Sequence, residues 1–232
     1  MRPQPFMGAL FHILLSLLLL LLHIDLSDAA SDVYYSIEQK NDEKNIALTF
    51  DDGPHGVLTP RLLDILKEKG AKATFFVMGV KAVIHPHILL RAHNEGHEIA
   101  NHVWDHPVLT KITHEKLHDQ INITNNAIFQ ALNSTPAVMR PPYGNTNRKL
   151  NARIAQHENL TVIMWSHDTN DWKRPPYKTI FKKALEAMKP GTVLLCHDIH
   201  PGTIKAMPAF IDDAKKKGYN FLTVSTMIEN AK

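Results

Sequence analysis

The run Ile46-Ala47-Leu48-Thr49-Phe50-Asp51-Asp52-Gly53-Pro54 decides how the rest of the chain is read. Its first five residues hold no charge and no apolar/polar alternation, the pattern of a strand covered on both faces rather than one side wet. Two carboxylates stand where the apolar run stops, and Gly53-Pro54 turns the chain. An amphipathic stretch follows, with Thr59 as the expected N-cap, Pro60 in the first turn, Leu62, Ile65 and Leu66 on one face, and Gly70 as the stop. A buried strand that leads directly into a helix is the repeating unit of a parallel α/β sheet.

Outward from that unit the alternation recurs without an internal sequence repeat. Further strands are expected at 73–77, 98–101, 137–140, 161–165, 192–197 and 221–225. Between them helices are expected at 88–94, after a Thr113 cap, at 148–157, at 179–188, and at 204–217 around Pro208. Seven such strands favour a closed or nearly closed (β/α) barrel, in one domain, over an open doubly wound sheet.

Composition narrows the class. With 44% hydrophobic and 21% charged residues among 232, the chain is ordinary globular protein rather than collagen-like or disordered. A formal charge of +3 with no basic block longer than Lys215–Lys217 gives no case for nucleic acid. The single Cys196 excludes an intrachain disulfide and reads as a small buried hydrophobe. Residues 1–30 have the order of a secretory signal: Arg2, an apolar run from Ile13 to Leu22 broken by Ser16, then Ser27, Asp28, Ala29 and Ala30. That run is shorter than the roughly twenty residues that span a bilayer, so no stable membrane span is expected after cleavage. Residues 31–44 read as a lead-in segment and 45–232 as the folded domain, exported to the periplasm or secreted, from a bacterial envelope and monomeric.

Fifteen histidines are the unusual number in the composition, and the reactive side chains gather where apolar runs stop. Asp51 and Asp52 follow the first strand, His102 and His106 the third, Arg140 the fourth, Asp168 and Asp171 the fifth, His197 and Asp198 the sixth. In a parallel barrel those positions share one rim. His102 and His106 are spaced i, i+4, as on one face of a helix. Val103 stands where a zincin protease needs its Glu, which argues against a protease. Asp52, His102 and His106 together make a three-donor set for a divalent metal that leaves positions open for water and substrate. Asp51 is left as a base, and His197 is a suitable acid.

These residues resemble the polysaccharide deacetylases with a NodB-homology domain, also called carbohydrate esterase family 4. Thr49-Phe50-Asp51-Asp52-Gly53-Pro54 is similar to the family's first motif, Asn101-His102-Val103-Trp104-Asp105-His106 to the second, and Arg140-Pro141-Pro142-Tyr143-Gly144 to the third. Asp168-Thr169-Asn170-Asp171-Trp172 resembles the fourth and Leu194-Leu195-Cys196-His197-Asp198 the fifth, five motifs in order over about 150 residues. The resemblance implies a distorted (β/α) barrel that removes acetyl groups from N-acetylated glycans of the peptidoglycan or chitin type. It further implies metal held by Asp52, His102 and His106, Asp51 as base oriented by Arg140, and His197 as acid with Asp171 raising its pKa. Tyr143 would give a backbone N–H to the oxyanion, while Trp172 and Leu195 would wall the acetyl methyl. Zinc is the default ion by ligand type, with cobalt, manganese and nickel accepted by the same set. Where the family usually carries Ser or Thr, Val103 has no hydroxyl, which predicts weaker metal binding. Trp104, Tyr143, Trp172 and Tyr177 are candidate stacking partners for sugar rings. An O-acetyl esterase on xylan-like polymers and an inactive glycan-binding protein are the alternatives.

Overall fold

In the computed structural model, which describes residues 33–41 and 43–232, nine strands form one sheet; the expected signal peptide lies outside the described residues. The order along the chain is β1 (Val33–Tyr34), β2 (Asn45–Gly53), α1 (Leu58–Glu68), β3 (Thr74–Val77), α2 (Gly79–Ile84), α3 (Pro86–Asn94) and β4 (Glu98–Asn101). It continues with α4 (His114–Leu132), β5 (Val138–Met139), α5 (Arg148–Glu158), β6 (Thr161–Ile163), β7 (His167–Asp168), α6 (Tyr177–Glu186), β8 (Val193–His197), α7 (Pro201–Lys216), β9 (Asn220–Leu222) and α8 (Val224–Ala231). Strands lie in the order β1-β6-β5-β4-β3-β2-β8-β7 with β9 beside β2, and every strand pair is parallel.

β6 and β7 belong to one bent run, which pairs first with β5 and then, beyond Trp165 and Ser166, with β8. The sheet therefore curls into a distorted (β/α) barrel whose last step is a bend in the chain instead of a continuous ladder. All seven expected strands are present. Three end early: 137–140 stops at Met139, 161–165 stops at the bend, and 221–225 stops at Leu222 because the Thr223 hydroxyl accepts from Thr226 N–H and starts α8. The lead-in segment supplies β1, and its Ile37 is buried with its N–H donated to Gly191 O. α1 begins one residue before the expected Thr59 cap. His55 Nδ1 accepts from the Val57 and Leu58 N–H groups, while the Thr59 hydroxyl accepts from His55 N–H and donates to Asp198.

Along β2 the side chains divide with period two. Ile46, Leu48 and Phe50 face outward into a cluster with Leu62 and Leu66 of α1 and Met207 and Phe210 of α7. Ala47 faces inward with Phe76, Ala100, Val138, Ile163 and Val193, above Val224 and Met227 of α8 at the barrel base. Thr49 and Asp51, both buried, continue the inward row. The row thus rises from an apolar floor to a carboxylate at the carboxyl end of the strand.

Candidate active site

Alternation would send Asp52 away from Asp51, to the outside. A bulge prevents this: Asp51 pairs with Phe76 and Gly53 with Val77, so Asp52 is the extra residue and takes the left-handed region at φ 70°. Bulges beside functional sites re-aim a side chain in this way. Lys81 Nζ donates to Asp52 O at 2.6 Å, Met78 N–H donates to Gly53 O, and the Asp198 carboxyl lies where any Cβ on Gly53 would sit. Both carboxylates consequently border one cavity.

His102 and His106 do not share a helical face. They sit on a loop after β4 whose residues Val103 and His106 are left-handed, at φ 57° and 67°. The loop is braced by side chains: Asn101 accepts Val103 N–H and donates to Ile121 O, and Gln120 Oε1 accepts the N–H groups of Trp104 and Asp105. A β-branched residue at positive φ is uncommon, and Val103 is held there by full burial beside Leu109, Leu117 and Met139. The result brings His102 Nε2 to 3.4 Å and His106 Nε2 to 3.2 Å from Asp52 Oδ1.

The donor set fits a cation. His102 Nδ1 lies 2.7 Å from Arg140 O, which only accepts, so Nδ1 carries a proton toward that carbonyl and Nε2 is the atom left facing Asp52. Asp52 Oδ1 is buried without a hydrogen-bond donor. One donor atom from each of the three residues lies within 4.8 Å of the others. Burial pushes the Asp52 carboxyl up, but His102 first, then His106 and His197, hold it well below the usual carboxylate range. Burial and the neighbouring His102 push His106 down, toward the neutral form that ligates metals.

Two ion pairs flank this set. Arg140 is fully buried, its guanidinium 4.1 Å from the centre of the Phe76 ring. It donates from Nη1 to Asp51 Oδ1 at 2.6 Å and to Thr49 Oγ1, from Nε to Ile163 O, and from Nη2 to Met164 O. On the other side Asp171 Oδ1 lies 2.7 Å from His197 Nδ1, while Oδ2 accepts from His197 N–H and the Thr203 hydroxyl. Burial pushes the His197 pKa down, and the Asp171 carboxylate outweighs it, raising the group to about 9.

A cavity of about 380 Å³ lies between the pairs, lined by Asp51, Asp52, His102, His106, Tyr143, Gly144, Trp165, Asp168, Trp172, Leu195 and His197. Of the expected site residues, only Arg140 and Asp171 stand behind it. Tyr143 is two-thirds exposed at φ 60°, its ring 4.4 Å from that of His106.

Comparison with known proteins places the chain in a family. The family model described as polysaccharide deacetylase matches residues 38–163. The chain is 40% identical over 184 residues to a peptidoglycan-N-acetylglucosamine deacetylase of Listeria monocytogenes, covering 79% of this chain and 39% of that one. It is 38% identical to a chitooligosaccharide deacetylase of Bradyrhizobium, covering 68% and 72%. A peptidoglycan N-acetylglucosamine deacetylase solved with an N-oxidanyl-benzamide superposes with a TM-score of 0.80 at 35% identity, covering 85% and 92%. The chain belongs to the polysaccharide deacetylase family. It spans well under half the length of its Listeria relative.

Within this member of the family, two expected sugar-stacking aromatics lie away from the cavity. Trp104 packs against Gly79, and Tyr177 lies on the α6–α7 core under Lys205 Nζ, 4.3 Å from its ring centre. Trp165, by contrast, was legible only as the end of an apolar run, yet it walls the cavity and fills the space that any Cβ on Gly144 would need. Asp168 was visible as a polar residue at a strand end, without a role. Cys196 is fully buried, and burial pushes its thiol pKa well up, away from reactivity.

Proposed function

We propose that this polysaccharide deacetylase hydrolyses N-acetyl groups on amino-sugar glycans of the peptidoglycan or chitin type, with a divalent ion, zinc by donor type, held by Asp52, His102 and His106. One observation carries the reading: Asp51, the three donors Asp52, His102 and His106, and His197 all line one cavity, with Asp51 and His197 in register on the neighbouring strands β2 and β8. When bound, the ion supplies Lewis acidity and lowers the pKa of water toward neutrality. Asp51, fixed through Oδ1 by Arg140, takes the proton of the attacking water at Oδ2. The oxyanion meets the backbone N–H of Tyr143, a contribution of about 10²–10³ in rate for one such donor. His197, protonated and steered by Asp171, delivers its Nε2 proton to the departing amine. Leu195 and Trp172 enclose the acetyl methyl.

Export fits this substrate class. The leader at residues 1–30 supports action in the periplasm or outside the cell, as a monomer, and no helix among the described residues is long and apolar enough to cross a membrane. Acetate release from N-acetylglucosamine oligomers, peptidoglycan and acetylated xylan is the test, on metal-stripped protein and after reloading with each candidate ion. Release from the first two, restored by metal, is expected. Release from xylan alone would make the protein an esterase, and silence on every glycan with metal stoichiometrically bound would overturn the reading.

A further inference from the structure

Trp172 lines the cavity although it is half exposed, so burial does not fix its indole. Two polar contacts and the turn that carries it do. Its Nε1 donates to Asp168 Oδ2 at 3.3 Å, Lys173 Nζ stands 4.7 Å from the ring centre, and the 3₁₀ turn Asp171–Lys173 is set between the left-handed residues Asn170 and Arg174. Asp168 is itself anchored. Its Oδ1 accepts Asn170 N–H at 2.6 Å, and it stands in register beside Leu195 across the β7–β8 ladder. One carboxylate thus ties the indole to the turn that carries it and to the strand that carries the opposite wall.

We propose that Asp168 is a positioning residue that sets the acyl specificity of this site, holding the Trp172 indole against Leu195 at a spacing that takes an acetyl methyl and refuses a longer chain. The proposal rests on the reading of Leu195 and Trp172 as the acetyl wall. An aromatic side chain with two free torsions and one wet face swings aside when its only side-chain hydrogen bond is removed. A fixed apolar pocket discriminates one methylene by about 10–200-fold, and a wall that yields gives up that discrimination.

A double-mutant cycle on the full chain, loaded with zinc, separates this from a merely structural role. Rates are compared on N-acetyl and N-propionyl chitooligosaccharides for the wild type, Asp168→Ala, Trp172→Phe and the double variant. Asp168→Ala is expected to narrow the acetyl preference by about tenfold, mostly by accepting the propionyl substrate. Without the indole N–H the same change is expected to alter the ratio by less than about twofold. An unchanged ratio in Asp168→Ala, or an equal effect in both backgrounds, overturns the proposal. Fluorine NMR of protein labelled with 5-fluorotryptophan reads the clamp without turnover. The Trp172 resonance, assigned by its loss in Trp172→Phe, should move and sharpen in Asp168→Ala, while those of Trp104 and Trp165 stay dispersed and show that the variant is folded. Should the wild type release neither acid, the acetyl reading fails, yet an unmoved Trp172 resonance would independently overturn the clamp.

Discussion

Asp51 and Asp171 are both buried carboxylates beside the same cavity, each with a cationic partner, and the two pairs are wired in opposite senses. In the first pair the partner is heavily committed: Arg140 makes four hydrogen bonds, to Asp51, Thr49, Ile163 and Met164, while Asp51 Oδ2 accepts no hydrogen bond among the described residues and lies 3.9 Å from His102 Nε2. In the second the carboxylate is saturated: both Asp171 oxygens are taken, and His197 keeps its Nε2 for the cavity. The partners also differ in kind, because a guanidinium stays charged at any working pH whereas an imidazole titrates. A permanent cation keeps a carboxylate ready to accept a proton, and a shielded carboxylate keeps an imidazole ready to give one. The wiring supports the proposed roles of base and acid.

Breaking the first pair at its reactive end should have the largest effect. Asp51→Asn keeps a hydrogen bond from Arg140 but cannot accept a proton, so kcat is expected to fall by about 10³-fold or more, with zinc still bound stoichiometrically. Steady-state kinetics beside a zinc titration checks both halves. A residual rate within tenfold of wild type would remove Asp51 from its role.

The second pair is the one that pH can break. Proton donation requires His197 charged, so activity should fall as pH rises through about 9, and Asp171→Asn should move that fall down toward 6.5. Stability follows the same sign. A folded-state pKa raised from 6.5 to about 9 stabilises the protein fully below pH 6.5, and the contribution is lost as pH climbs through 9. It amounts to roughly 3 kcal/mol. Thermal melts of metal-free protein from pH 6 to 10 should show this loss in the wild type and little of it in Asp171→Asn. Parallel curves would mean that the pair does not hold its proton through Asp171.

What was legible in the sequence follows from what each signal measures. Strands buried on both faces announce themselves as apolar runs, so seven were found, the two-residue β5 among them; β1 and β7 are as short but only half-buried, and no such run marks them. The residues of both ion pairs were found because a parallel barrel puts every strand end on one rim. The i, i+4 spacing of His102 and His106 was misleading in form, since a loop with two left-handed residues meets the same geometric demand as a helical turn. Aromatic candidates split for a related reason: composition shows that Trp104 and Trp172 are present, but only the backbone course shows that one packs on Gly79 while the other reaches the cavity. Asp168 was visible but mute, because its work is done through Trp172.

The smallest expected effect concerns Val103, where the missing hydroxyl suggested weaker metal binding. His102 is oriented instead by the Arg140 carbonyl, 2.7 Å from Nδ1, and the Val103 N–H is already taken by Asn101. Arg140 therefore serves both halves of the site, fixing the base with its guanidinium and a proposed ligand with its backbone. Since the outer partner of His102 does not come from residue 103, Val103→Thr should change zinc affinity by less than about threefold, against the 10–100-fold typical of losing such a partner. The added hydroxyl enters a fully buried apolar position and should cost about 1–3 kcal/mol of stability instead. Competition with a chelator of known affinity decides the matter: a tenfold gain in zinc binding would show that the His102 imidazole needs more than the Arg140 carbonyl to hold it.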